Sequence, residues 1–336
     1  MELLIYLILF LLVLIVSSTT NKLLPFLPLP LVQILLGIVI GLFLPNTDFH
    51  LNTELFLALV IGPLLFRESE EADITAILKH WRIIVYLIFP VIFISTLSLG
   101  GLAHLLWFSL PLAACLAVGA ALGPTDLVAF ASLSERFSFP KRVSNILKGE
   151  GLLNDASGLV AFQVALTAWT TGAFSLGQAS SSLIFSILGG FLIGFLTAMT
   201  NRFLHSFLLS VRATDIASEL LLELSLPLVT FFLAEEAHVS GIIAVVVAGI
   251  LKASRFKKIT LLEAQVDTVT ETVWHTVNFM LNGSVFVILG MELEMIAEPI
   301  LTNPIYNPLL LLVSLIALTF VLFAIRFVMI YGYYAY

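Results

Sequence analysis

Apolar segments of about 20 residues follow one another along almost the whole chain, and they constrain the fold more than any other feature. Inside a lipid bilayer, backbone N–H and C=O groups find partners only in helices or in closed barrels. The apolar runs are about 20 residues long, 60% of the 336 residues are hydrophobic, and the mean hydropathy is +1.10. The sequence therefore predicts an all-α, polytopic membrane protein.

Polar breaks divide the chain into eleven predicted spans. Their approximate ranges are 2–17, 29–44, 54–66, 83–106, 111–134, 143–169, 180–204, 216–234, 239–253, 268–291 and 306–334. Fourteen of the fifteen Lys and Arg residues lie in or beside the segments after odd-numbered spans, and the segments after even-numbered spans contain none. Because basic loops stay on the cytoplasmic side, we predict that the N-terminus lies outside. The predicted location is the cell membrane, which in a bacterium is the inner membrane, and the protein crosses it many times.

Two pairs of spans resemble each other at an offset of seven spans. Span two, "LVQILLGIVIGLFL", resembles span nine, "VSGIIAVVVAGILKA", and span three resembles the end of span ten. The members of each pair cross in opposite directions, which is typical of inverted-topology repeats, although chance similarity between apolar helices is an alternative. We predict one membrane domain over 1–336, with a first repeat over 1–169, a linker helix over 180–204 and a second repeat over 216–336 that lacks its last two helices.

Span five contains a predicted break in "AVGAALGPTDLVAFASL". The pair Gly123-Pro124 interrupts the helical hydrogen bonds and frees backbone carbonyls near Thr125 and Asp126. Freed carbonyls coordinate small cations in many transporters. The alternative is a simple proline kink in which Asp126 caps the following half-helix, and the two interpretations are compatible.

Span six carries two carboxylates and an amide in "GEGLLNDASGLVAF". Glu150 and Asn154 are four residues apart and share one helix face, with Asp155 beside them. Burial favours the protonated form of Asp155, whereas a bound cation favours the ionised form, so a proton and a cation would compete for this group. The alternative is a structural carboxylate that is hydrogen-bonded within the bundle.

The fifteenth basic residue, Arg326, lies inside span eleven. Its side chain could extend to the inner membrane interface, or it could pair with a carboxylate inside the bundle. We interpret Arg326 and Glu150 as a structural ion pair. This pairing leaves Asp155 as the titrating group, with Asn154 orienting it.

The motifs "GPTDLVAF" and "GEGLLNDASGLVAF", together with an arginine in span eleven, resemble the cation:proton antiporter family, in its sodium/proton exchanger branch (monovalent cation:proton antiporter 1). "IGPLLFRES" and "AEEAHVSGIIAVVVAGIL" resemble the same family. The resemblance implies an inverted-repeat antiporter fold with an unwound helix, and it assigns roles to six residues. In this assignment, Asp155 is the carboxylate that binds sodium or the proton, and Asn154 is its partner. Thr125 and Asp126 lie at the unwound crossing, and Thr125 is also near the transported sodium. Glu150 and Arg326 form the ion pair.

The resemblance also implies a function. We expect electroneutral exchange of sodium for protons in pH homeostasis by a homodimer in the lipid bilayer, with no enzyme activity, no cofactor and no nucleic-acid partner. The chain departs from the family pattern where Gly151 replaces a common serine and where Leu127 replaces a common proline. It also departs in the two helices that the second repeat lacks.

Three alternatives to sodium exchange remain open. A potassium/proton antiporter would use the same scaffold, and a truncated, inactive fragment would share the same motifs. An intramembrane aspartyl protease is remote, because it needs two carboxylates that share a proton and typically carries Y-D and G-x-G-D motifs, whereas this chain has T-D and N-D.

Overall fold

The computed structural model describes residues 2–24, 26–43, 52–125, 139–171, 176–211, 215–253, 261–302 and 308–335. Every regular element within these ranges is helical. The predicted all-α fold class is therefore confirmed for the part of the chain that the structure describes.

We number the described helices α1 to α12 in chain order. Their bounds are α1 Glu2–Leu23, α2 Leu29–Phe43, α3 over 53–71, α4 Ile74–Lys79, α5 Trp81–Leu106, α6 Leu112–Leu122, α7 Lys141–Thr171, α8 Leu176–Ser210, α9 Ile216–Glu236, α10 Gly241–Ala253, α11 Leu261–Thr302 and α12 Pro308–Ala335. Each of the eleven predicted ranges overlaps one of these helices, and the short α4 connects the helices of the third and fourth ranges. Span five was predicted to reach residue 134, but α6 ends at Leu122 and residues 126–138 lie outside the described ranges.

Five helical segments in the described ranges are long and apolar enough to cross a membrane. They are Trp81–Leu106, Ile184–Ser210, Ile216–Glu236, Thr268–Leu293 and Leu309–Tyr333. Large apolar side chains are exposed along their outer faces; on α12, Phe320, Phe323 and Phe327 are each at least 70% exposed. An exposed apolar surface of this extent suits lipid, not water.

Two helices contain a π-helical turn next to a proline. In α3 the turn covers Leu57–Ile61, immediately before Pro63, and in α5 it covers Leu87–Val91 and includes Pro90. A proline has no N–H to donate and its ring collides with the carbonyl four residues earlier. The wider turn relieves this in α3, where the N–H of Gly62 bonds instead to the carbonyl of Leu57.

The helices pack as two groups. One group contains α1, α2, α3 and α8 to α11, with extensive packing of α2 on α11 and of α10 on α3, α8 and α9. The other contains α5, α6, α7 and α12, with extensive packing of α6 between α5 and α7. Contacts between the groups are sparser and include those of α7 with α3 and α10.

Glycines allow backbone contact where α2 crosses α11. A Cβ atom on Gly37 would overlap the carbonyl oxygen of Val287, and one on Gly290 would overlap the carbonyl oxygen of Ile34. The same arrangement occurs where α10 crosses α3, because a Cβ on Gly249 would lie 2.6 Å from the carbonyl oxygen of Phe66. Small residues at such crossings are how membrane helices gain van der Waals contact without a hydrophobic driving force.

Candidate functional site

The candidate site forms where α6 ends against α7. After Leu122 the chain leaves the helix at Gly123 and Pro124, and the ring of Pro124 lies against Gly158 of α7. A Cβ on Gly158 would overlap Cγ of Pro124, so the absence of a side chain there lets the break approach α7. This contact places Thr125 opposite the polar face of α7.

Glu150 is the buried carboxylate at the centre of the site, with 1% of its surface exposed. Its Oε1 atom accepts a hydrogen bond from Nη1 of Arg326 at 3.0 Å and another from Nδ2 of Asn154 at 3.3 Å. The hydroxyl of Thr125 approaches the same oxygen at 3.5 Å. A buried charge is tolerated when it is paired and hydrogen-bonded in this way.

Asn154 joins the break to α7 and is fully buried. Its Nδ2 group donates to Oγ1 of Thr125 at 2.9 Å as well as to Glu150. This orientation of the amide follows from the chemistry, because a carboxylate oxygen can only accept. The amide oxygen Oδ1 is left buried with no hydrogen-bond partner among the described residues, although an amide oxygen is a good acceptor and a good ligand for a hard cation.

Arg326 of α12 lies inside the bundle with 16% of its side chain exposed. Beyond its bond to Glu150, its Nη2 group donates to the backbone carbonyl of Gly123 at 2.9 Å. The structure thus brings together four of the six predicted site residues: Thr125, Glu150, Asn154 and Arg326. The bond to the carbonyl was not predicted, although the break at Gly123-Pro124 was the signal that carbonyls there need donors.

The two predicted aspartates cannot be placed in this geometry. Asp126, like Leu127, lies outside the described residues, and so does the side chain of Asp155, whose backbone belongs to α7 next to Asn154. The roles predicted for these two groups, and for Asn154 as the orienting partner of Asp155, stay predictions.

A second cluster of charges, which we call the Lys252 cluster, comprises Arg67, Glu70, Glu223 and Lys252. The Nζ atom of Lys252 lies 2.8 Å from Glu223 and 3.2 Å from Glu70, and Arg67 pairs with Glu70 at 2.9 Å. The side chains are 11–16% exposed, and they connect α3, α9 and α10. Glu223 and Lys252 are 29 positions apart in the sequence, and Glu70 lies on a third helix, so the sequence alone does not indicate this cluster.

Comparison with protein families identifies the chain. The family described as "Sodium/hydrogen exchanger, transmembrane" matches residues 7–336. The chain belongs to this family. The predicted resemblance is therefore confirmed, and the family is one of transporters, not of enzymes.

The curated relatives of the chain are longer than the chain itself. It is 36% identical over 312 residues to the "Sodium, potassium, lithium and rubidium/H(+) antiporter" of Bacillus subtilis (strain 168), covering 93% of the chain and 47% of the relative. It is 32% identical over 306 residues to the "Uncharacterized Na(+)/H(+) exchanger YjcE" of Escherichia coli (strain K12), covering 89% of the chain and 54% of the relative. The chain thus spans about half the length of these curated relatives.

A solved structure shares the fold. The sodium proton antiporter MjNhaP1 from Methanocaldococcus jannaschii matches with a TM-score of 0.66 and 21% sequence identity, over 87% of this chain and 71% of that chain. The predicted antiporter fold is confirmed by this likeness.

Proposed function

We propose that the protein is a secondary active transporter that exchanges a monovalent cation, sodium in the first place, for a proton. The observation that carries the proposal is the buried amide oxygen of Asn154, which lies next to a helix break and has no hydrogen-bond partner in the described part of the chain. Membership in the sodium/hydrogen exchanger family supports it, as do the names of the relatives.

Charge balance supports electroneutral exchange. The ion pair of Glu150 with Arg326 is neutral by itself, which leaves Asp155 as the titrating group that the sequence places next to Asn154. Asp155 with a bound sodium ion and Asp155 with a bound proton carry the same net charge. One cation therefore leaves the site for each proton that enters.

The oxygen donors near the break suit a small, hard cation. Oδ1 of Asn154 has no partner among the described residues, and Oγ1 of Thr125 lies within hydrogen-bond distance of the same side chain. Together with the carboxylate of Asp155 they replace part of the hydration shell of sodium. No organic cofactor is required for this chemistry.

Transport requires that the site face each side of the membrane in turn. We infer that the site-bearing group, α5 to α7 with α12, moves against the group of α1 to α3 and α8 to α11. The sparse contacts of α7 with α3 and α10 support a boundary there. The orientation with the N-terminus outside, the cell-membrane location and the homodimer belong to the same proposal.

The packing pattern supports the inverted repeat. If the two repeats are offset by seven spans, α2 corresponds to α10 and α3 corresponds to α11. The α2–α11 contact then corresponds to the α10–α3 contact. Both pairs pack extensively, and each crosses at a glycine. The α1–α2 contact likewise corresponds to the α9–α10 contact.

Potassium is the second candidate for the transported cation. The name of the Bacillus subtilis relative includes potassium, lithium and rubidium beside sodium. A potassium/proton exchanger would use the same residues.

The test is cation-dependent proton flux in proteoliposomes that contain the chain, with sodium, lithium and potassium added in turn. We expect flux with sodium and its loss in Asp155→Asn, because an amide cannot carry a proton through the cycle. Asp73→Asn, at an exposed position, is the matched control and should retain the flux. Folded protein without flux for any cation would favour the inactive fragment, and undiminished flux in Asp155→Asn would overturn the role of Asp155.

A further inference from the structure

Arg326 uses its two terminal nitrogens on two different helices. Nη1 donates to Oε1 of Glu150 on α7 at 3.0 Å, and Nη2 donates to the carbonyl oxygen of Gly123 at the end of α6 at 2.9 Å. Gly123 is buried, so its carbonyl oxygen needs a hydrogen-bond donor, and Arg326 supplies one. One guanidinium therefore holds the break, α7 and α12 together.

We propose that Arg326 is a positioning residue that withholds the Gly123 carbonyl from the transported cation and thereby sets the preference for small cations. The proposal rests on the proposed function, because it concerns which oxygens that cation meets. The Nη1 and Nη2 groups of Arg326 bind Glu150 and the carbonyl of Gly123, so this carbonyl is already occupied. Among the described residues, the oxygen ligands that remain at the break are Oδ1 of Asn154 and Oγ1 of Thr125.

The number of available oxygens affects which cation is preferred. In potassium-selective filters, rings of carbonyl oxygens replace the water molecules that hydrate the ion, and the number of these oxygens is one proposed source of the preference for potassium. Releasing the Gly123 carbonyl would add one such oxygen at the break. We therefore expect its release to favour potassium relative to sodium.

The guanidinium group, and not only its charge, is needed for this role. Its nitrogens are fixed in a planar fork, so they reach two acceptors in a set geometry, whereas an ammonium group is a compact point charge on a flexible stem. Arg326→Lys keeps the positive charge near Glu150 and gives up the fixed geometry toward Gly123. This substitution separates the two functions of the side chain.

The first measurement is independent of transport. Hydrogen–deuterium exchange of the purified chain in detergent should show faster exchange at the end of α6, residues 116–125, in Arg326→Lys than in the wild type. Loss of a hydrogen bond from a charged donor predicts an increase of about fivefold or more. Exchange over residues 145–152, around Glu150, should change much less, and Arg82→Lys, at an exposed arginine near the start of α5, is the matched control.

The second measurement is the ratio of the KM values for sodium and potassium in the flux assay. In Arg326→Lys we expect this ratio to shift toward potassium by about tenfold, the size of one charge-assisted hydrogen bond. A mere loss of structure would change both KM values together and leave their ratio constant.

Unchanged hydrogen–deuterium exchange at the end of α6 in Arg326→Lys would overturn the proposed hydrogen bond between Arg326 and Gly123, whatever the transport assay shows. Faster hydrogen–deuterium exchange together with an unchanged ratio of the KM values for sodium and potassium would overturn the role of Arg326 in selectivity. A wild-type chain that shows no flux with any cation would contradict the proposed function and the selectivity role with it, while the exchange data would still decide whether Arg326 holds the carbonyl.

Discussion

Gly158→Ala should disable the site while leaving the protein folded. The added Cβ would overlap Cγ of Pro124 and lie 3.1 Å from its Cδ. A proline ring cannot rotate away, since it is part of the backbone, so the break and α7 have to separate by about 1 Å to reach van der Waals contact. Thr125, the next residue, moves with the break, away from its 2.9 Å hydrogen bond with Asn154.

The magnitudes show which effect dominates. Overpacking of this kind costs about 1–3 kcal/mol, which is less than the roughly 5–15 kcal/mol that stabilise a folded domain. A displacement of about 1 Å at a reacting or binding centre can reduce activity about 100-fold. We therefore expect a fall in melting temperature of a few degrees and a loss of most cation-dependent proton flux.

The assays are thermal unfolding in detergent and flux in proteoliposomes. Gly101→Ala on α5 is the matched control, because its Cβ would meet nothing within 4 Å. Adding Pro124→Ala to Gly158→Ala removes the ring atoms and should restore most of the lost stability. Wild-type flux in Gly158→Ala, or no recovery of stability in the double variant, would refute the proposed contact between the break and α7.

Three further predictions concern stability. Gly290→Ala should lower the melting temperature by several degrees because its Cβ would overlap a backbone carbonyl of α2, and a value as high as that of Gly101→Ala would contradict the backbone contact. Lys252→Met should destabilise the fold by roughly 3 kcal/mol, since it leaves two mostly buried carboxylates without their shared partner; unchanged denaturant unfolding would show that the cluster contributes nothing. Asp215 accepts hydrogen bonds from the side chain and backbone N–H of Ser218 at the start of α9, which hold the pKa of its carboxyl below the usual value. The pKa is lower in the folded state, so the cap contributes fully above the unfolded pKa of about 4 and loses its effect as the pH falls through the lower folded pKa. Asp215→Ala should lower the melting temperature equally at pH 6 and pH 8, and a difference that does not shrink at all as the pH is lowered below about 4 would contradict this.

The sequence was sufficient to predict the helices because each is an apolar run in a bilayer, where the backbone has few alternatives. It did not predict their ends well. Lys141–Thr171 and Leu261–Thr302 extend past the predicted spans 143–169 and 268–291, because helices continue into the polar interface where hydropathy no longer marks them. The π turn before Pro63 also escaped prediction, since local sequence does not determine how a helix absorbs a proline.

At the site, the pairing of Glu150 with Arg326 could be predicted because a buried charge in lipid needs a partner and the chain offers few. The carbonyl of Gly123 as a second partner of Arg326 could not, because every residue has a carbonyl and only the packed structure selects one. The Lys252 cluster was missed for a similar reason. Its members are separated by up to 185 positions, from Arg67 to Lys252, and local sequence does not show that they meet.

The glycine crossings of α2 with α11 and of α10 with α3 have a mechanical consequence. Two helices that touch through their main chains cannot roll or slide past each other unless they first come apart. Each crossing is therefore expected to hold its two helices together as one rigid unit. The movement between the two helix groups that we propose would therefore be confined to the sparse contacts of α7 with α3 and α10.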